Sequence, residues 1–178
     1  MRLFLGFAPQ SAERGLFSLG DRLGLARDAD LRAVPPENWH ITLVFLGEVP
    51  EHLLGRLSDV VSRAAEGAAP LCGELDRLAW FPSALKPRLL ALLLSAPLGL
   101  WELEATVTRR LRAEGFHCEH RDYRPHLTLA RLPQSQRSFV PPPLPPVAAL
   151  PVELDAIGLY QSWRGERPYR LLQQFELG

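Results

Sequence analysis

The alternation of apolar and polar positions predicts a series of strands and helices in a recurring order. Residues 2 to 8 form a first strand that Pro9 closes. Residues 11 to 25 place Leu16, Leu19 and Leu23 at helical spacing, with Gly15, Gly20 and Gly24 interrupting the run. Val34-Pro35-Pro36 is a turn, residues 38 to 46 are a second strand that Gly47 ends, and residues 51 to 65 are a second helix with Leu54, Leu57 and Val61 on one stripe. Residues 71 to 80 and 88 to 95 read as two strands around the turn-rich segment 81 to 87. A third helix over 98 to 113 puts Leu100, Leu103, Val107 and Leu111 near one face, with Glu102, Arg109, Arg110 and Arg112 largely on the others. Residues 123 to 130 follow as a strand. The proline-rich stretch 132 to 150 cannot enter a sheet interior, because proline brings no ladder donor, and it predicts a rigid surface connection. Two closing strands, 152 to 161 and 167 to 177, are joined by Ser162-Trp163-Arg164-Gly165-Glu166.

Within this pattern one short unit occurs twice. His40-Ile41-Thr42-Leu43 returns as His126-Leu127-Thr128-Leu129, and His126 follows His40 by 86 positions, close to half the chain. Strand side chains alternate faces, so each histidine shares a face with its threonine while Ile41, Leu43, Leu127 and Leu129 point the other way. Each unit sits on a strand near a helix of similar size. The expected fold is therefore α+β, one bilobal domain over 1 to 178. Its two similar lobes, each an antiparallel sheet with helices on its outer face, are related by a pseudo-two-fold axis around a central cleft. Each lobe would bring one motif to that cleft.

Composition narrows the partners. Lys plus Arg and Asp plus Glu are 20 each, so no global field recruits long nucleic acid, although a local basic cluster could hold the end of a polynucleotide or a small anion. Cys72 and Cys118 are the two cysteines, and no secretory segment precedes them. A cytoplasmic monomer with free thiols is the expectation. The apolar run 89 to 94 is too short for a membrane span and reads as a buried strand.

Two histidines and two threonines facing one cleft suit proton transfer around an anion. Imidazole titrates near neutrality, so one ring can take a proton from water while the other gives one to a leaving oxygen. Threonine hydroxyls can donate to nonbridging phosphoryl oxygens. A phosphodiester is the reactive group this set serves. Zinc normally needs three or more protein ligands, and His117, Cys118 and His120 lack a completing set, so no metal is expected. His52 reads as an exposed surface residue. No nucleotide cofactor is implied either, since the glycines do not form a phosphate loop with a lysine.

The same residues carry a resemblance. Arg2-Leu3-Phe4, the block from His40 to Glu48, the block from Arg124 to Arg131, and the closing segments Leu159 to Ser162 and Tyr169 to Leu172 resemble the two-histidine phosphoesterase superfamily over nearly the whole chain. Within it the chain is similar to the RNA 2′,3′-cyclic phosphodiesterases once described as 2′-5′ RNA ligases. The resemblance implies His40 as the acid that protonates the departing ribose 3′ oxygen, and His126 as the base that activates water. Thr42 and Thr128 would bind the phosphate, and a 2′-phosphomonoester would be the product. It adds Arg131 as a phosphate contact, which strand alternation allows only if the strand twists or ends at Ala130. Phe45 resembles an aromatic near the substrate base or ribose, yet alternation turns it away from His40 into the core. Arg124, on the parity of His126, is a competing basic contact. Trp163, expected to be exposed in its turn, is a stacking platform for a single-stranded RNA end, with Tyr160 and Tyr169 nearby. Reversible 2′-5′ ligation, hydrolysis of small cyclic nucleotides and phosphate binding without turnover stay open as alternatives.

Overall fold

The structure is a computed structural model that describes residues 1–119, 122–133, 139–163 and 169–178. Its strands are β1 (Arg2–Phe7), β2 (Arg32–Ala33), β3 (Ile41–Glu48), β4 (Leu71–Phe81), β5 (Leu89–Ser95), β6 (His126–Arg131), β7 (Leu150–Leu154), β8 (Ala156–Ser162) and β9 (Arg170–Glu176). The helices are α1 (Glu13–Arg22), α2 (Leu54–Ala65) and α3 (Gly99–Ala113). All the pairings are antiparallel, in the order β7-β4-β5-β6-β3-β1-β8-β9, with β2 added against β6.

The two halves of the sheet, β7-β4-β5-β6 and β3-β1-β8-β9, meet at the register pair Ile41 opposite Leu127. These are the residues between histidine and threonine in the two motifs, and both are fully buried. A slip of one residue would exchange them with the histidines and threonines, burying polar groups in a hydrocarbon core. The apolar partners of the motif thus fix where its polar members stand.

The halves of the sheet are not halves of the sequence. The last two strands return beside β1, so the lobe holding the first motif combines both ends of the chain. Residues 152 to 161, expected as one strand, are two strands in different halves, β7 against β4 and β8 against β1. Only Asp155 lies between them. So short a link reaches no more than about 7 Å, which requires the sheet to curl until its distant parts come together. The signal is a change of parity, since Val152 and Leu154 are buried on one side of Asp155 and Ile157 and Leu159 on the other. Pro151 lies in β7 at the sheet edge, where its missing N–H costs no ladder bond to an outer neighbour.

The helices pack outside this curl. α2 lies against α3 and β9, α3 touches β3, and the turn leading into α1 packs on β7. Each contributes an apolar stripe, such as Leu57, Val60, Val61 and Ala64 of α2, to one continuous core. The first helix is shorter than its leucine spacing suggested. It begins after a 3-10 turn at Gln10–Ala12 and stops before Gly24, whose φ of 65° takes the chain out of the helix. The described part of the proline-rich stretch from Phe139 on meets the end of β4, where the Trp80 indole Nε1 donates to the Pro142 carbonyl at 3.0 Å and Phe139 packs edge-on against the same ring at 5.2 Å. No helix among the described residues is long and apolar enough to cross a membrane.

Candidate active site

His40 stands just before β3 and His126 opens β6, so the two imidazoles flank the seam between the halves. They are held alike. His40 Nδ1 donates to the Asn38 carbonyl at 2.7 Å, and His126 Nδ1 donates to the Arg124 carbonyl at 2.7 Å. A carbonyl oxygen only accepts, so in each neutral ring the proton sits on Nδ1 and Nε2 is left as the reactive atom. Thr42 and Thr128 are half-buried, between neighbours that are fully or almost fully buried.

Two bulges extend the site beyond the motifs. Against β1, β3 pairs Val44 with Leu5 but Thr42 with Gly6, so Leu43 is an extra residue. Against β5, β6 pairs Ala130 with Leu90 but Thr128 with Ala91, so Leu129 is an extra residue. The bulges occupy equivalent places in the two motifs. Each leaves two consecutive apolar residues buried, Leu43-Val44 and Leu129-Ala130, and reverses the alternation beyond them. Phe45 therefore turns to the face of His40, contrary to its expected place in the core. It is half-buried and stacks with Phe4 at 6.2 Å, while Phe4 lies 4.6 Å from the His40 ring. Arg131 turns to the face of Thr128 in the same way, which meets the condition that strand alternation set for it. Its positive charge bears on both imidazoles, and the charge of His126 bears on His40.

Aromatic rings wall the first half. Phe45, Phe4 and Tyr160 form a row across β3, β1 and β8, and Tyr169 meets both Phe4 and His40 edge-on at 5.2 Å. Glycine shapes the floor, since a Cβ on Gly6 would lie 2.7 Å from the Ile41 carbonyl oxygen. In the second half the Phe81 ring stacks on His126 at 4.3 Å.

Burial is the main reason that both histidines lose basicity. His40 is pushed down to about 4, with its bond to Asn38 opposing the fall and Arg131 and His126 adding to it. His126 is lowered by burial, then by the charges of Arg124 and Arg131, against the bond to the Arg124 carbonyl. At neutral pH both imidazoles are therefore neutral, with Nε2 unprotonated.

The remaining candidates separate. Arg124 is exposed, but its guanidinium lies 4.4 Å from the Phe81 ring centroid and donates to the Pro82 carbonyl at 3.2 Å, which ties it to the support of His126. Trp163, expected to be exposed, is half-buried at the end of β8; residues 164–166 of its turn lie outside the described residues. His117 is exposed and Cys118 is buried, with its thiol raised by that burial, while His120 lies outside the described residues. Sequence reasoning missed Asn38 and Phe81. Asn38 is buried, and its Oδ1 accepts the Tyr169 backbone N–H at 2.7 Å. The positions two before the histidines hold unlike residues, Asn38 and Arg124, so the repeat itself does not mark them.

A model of LigT-like phosphoesterases matches residues 7–91 and 95–169, which include both motifs. The chain belongs to that family. Among its relatives are RNA 2′,3′-cyclic phosphodiesterases of Geobacillus stearothermophilus and Thermus thermophilus. The first is 31% identical over 81% of this chain and 47% of its own length, and the second 32% identical over 99% and 90%. The chain thus spans about half the length of the Geobacillus relative. The crystal structure of TT0787 of Thermus thermophilus superposes with a TM-score of 0.79 at 28% identity, covering 99% of this chain and 98% of that one. Escherichia coli LigT complexed with 3′-AMP shares the LigT-like fold at a TM-score of 0.78 and 24% identity, covering 99% and 97%.

Proposed function

We propose that this family member hydrolyses 2′,3′-cyclic phosphate ends of RNA to 2′-phosphomonoesters, with His126 as base and His40 as acid. The observation that carries the proposal is the mirrored anchoring of the two imidazoles, each with Nδ1 tied to a backbone carbonyl and Nε2 left for chemistry. The bilobal chain acts as one unit, because each half supplies one proton-transfer group.

In the proposed reaction the cyclic phosphate lies between the rings, with Thr42, Thr128 and Arg131 on its nonbridging oxygens. Water gives its proton to His126 Nε2 and attacks phosphorus opposite the ribose 3′ oxygen. As the bond from phosphorus to the 3′ oxygen breaks, His40 Nε2–H donates its proton to that oxygen. The product carries a 2′-phosphate and a 3′-hydroxyl, and the site resets when His126 gives its proton to solvent and His40 takes one back. Hydroxyl and guanidinium donors stabilise the charge that grows on the phosphoryl oxygens. An imidazole takes part in each proton transfer, His126 as acceptor and His40 as donor.

The acid must first be loaded. Burial leaves His40 neutral at pH 7, so the incoming phosphodiester, an anion, has to draw a proton onto it. The ribose and terminal base would rest on the Phe45 side, where the aromatic row offers a stacking surface.

The test is turnover of an oligonucleotide ending in a 2′,3′-cyclic phosphate, with the product mapped by its phosphate position. A 2′-phosphate supports the reading. A 3′-phosphate would exchange the leaving oxygen, equal or better turnover of cyclic mononucleotides would remove the RNA end as substrate, and joining of ends without net hydrolysis would favour ligation.

A further inference from the structure

The residue two before each histidine does more than lend a carbonyl. Asn38 accepts His40 Nδ1–H through its backbone, and its side chain accepts the N–H of Tyr169, whose ring packs edge-on against His40. Arg124 accepts His126 Nδ1–H through its backbone, and its side chain donates to the carbonyl of Pro82, the residue after Phe81, whose ring stacks on His126. The same three-part arrangement is built twice from unlike residues. In each half one residue fixes the tautomer of the histidine and fastens the chain segment that carries its covering ring.

We propose that Asn38 and Arg124 are paired positioning residues that set the two histidines to different tasks, a neutral tether beside the acid and a cationic tether beside the base. The proposal rests on the acid–base reading above. A guanidinium on the Phe81 ring opposes positive charge on the imidazole stacked against that ring, which keeps His126 free to accept a proton. Asn38 brings no charge to His40. Its side chain is a hydrogen-bond acceptor, nearly buried, that closes Tyr169 over the ring and excludes water. Among the described residues, the groups that bear on the two imidazoles come from both halves. His40 meets Arg131 and His126 across the cleft with Phe4 and Tyr169 against its ring, and His126 meets Arg124 and Arg131 with Phe81 against its ring.

The device predicts effects confined to one histidine at a time. Arg124→Gln removes the charge but leaves the carbonyl, so His126 should titrate higher by roughly half a pH unit or more, a modest value suited to an exposed guanidinium. Asn38→Ala leaves its carbonyl and releases Tyr169, so water reaches His40 and its midpoint should rise by a similar margin, roughly half a pH unit. Each variant should lower kcat by about tenfold, the low end of what a misplaced acid or base costs, with KM changed less.

The experiment is an NMR titration of the imidazole Cε1–H signals in the full chain, wild type and both variants, with turnover of the cyclic-phosphate oligonucleotide measured on the same samples. Asn38→Ser, which keeps a shorter acceptor, replaces the alanine variant if that one fails to fold. Movement of only the histidine two positions on, in each variant, supports the proposal. Unmoved midpoints, or equal movement of both histidines, overturn it, because a purely structural loss would lower stability without choosing one ring. If the wild type fails to turn over the oligonucleotide, the hydrolytic reading falls regardless of the titrations. Turnover with unmoved midpoints removes only the pairing of tethers.

Discussion

The proposed loading of His40 as the acid predicts a pH signature that separates the free protein from its substrate complex. Burial and the neighbouring positive charges hold His40 at about 4 instead of 6.5, and His126 is lowered in the same direction. A unit negative charge about 4 Å from an imidazolium, at an effective dielectric of about 20, attracts it by about 4 kcal/mol. At about 1.4 kcal/mol for each pH unit this is worth up to about three pH units, enough to offset the desolvation of His40. The profile of kcat/KM reports free enzyme and that of kcat reports the complex. Initial rates on the cyclic-phosphate oligonucleotide, from pH 4 to 9 at constant ionic strength, should therefore place the kcat/KM optimum below 6.5. Its alkaline side should fall by about tenfold per pH unit, and the matching limb of kcat should lie roughly two to three units higher. Coincident limbs, or a kcat/KM optimum above 6.5, would refute the reasoning that burial empties the acid and substrate refills it.

Two further outcomes follow from the packing and the titration. Gly6→Ala would drive a Cβ to 2.7 Å from the Ile41 carbonyl oxygen, a backbone atom that cannot swing aside. Urea unfolding should show a loss of about 1–3 kcal/mol, and kcat should fall as well because β3 carries Thr42 beside that contact. His40 is neutral in the folded protein while the unfolded chain takes up a proton at about 6.5, so its effect on stability is absent above that pH and grows as pH falls towards 4. Wild type should lose at most about 3 kcal/mol more than His40→Gln between pH 7 and pH 4, read as the difference of their urea midpoints at each pH; equal losses would mean that His40 is solvated.

The family and the two motif strands were legible in the sequence because they reside in two short units whose alternation is regular from histidine to threonine. Legibility ended one residue later. The extra residues Leu43 and Leu129 reverse the faces, so plain alternation buried Phe45 and turned Arg131 away from the face of Thr128. Adjacent apolar pairs, Leu43-Val44 and Leu129-Ala130, were the available sign of a strand bending around a core. The split at Asp155 escaped for a related reason: two strands in one extended run look continuous unless the buried parity is followed across it. Asn38 escaped because its role is to hold backbone and a distant segment, Tyr169, and nothing local in the sequence marks a contact made 131 residues away.

The central claim is that the two motifs form one catalytic unit, and a double-mutant cycle tests it most directly. His40→Ala and His126→Ala should each lower kcat by about 10²- to 10⁴-fold with the fold retained by circular dichroism. The combined variant should be little worse than the poorer single one, because groups acting in one proton-transfer cycle are not additive. Losses that multiply in the double variant, or a loss below about tenfold in both single variants, would contradict a site shared between the halves.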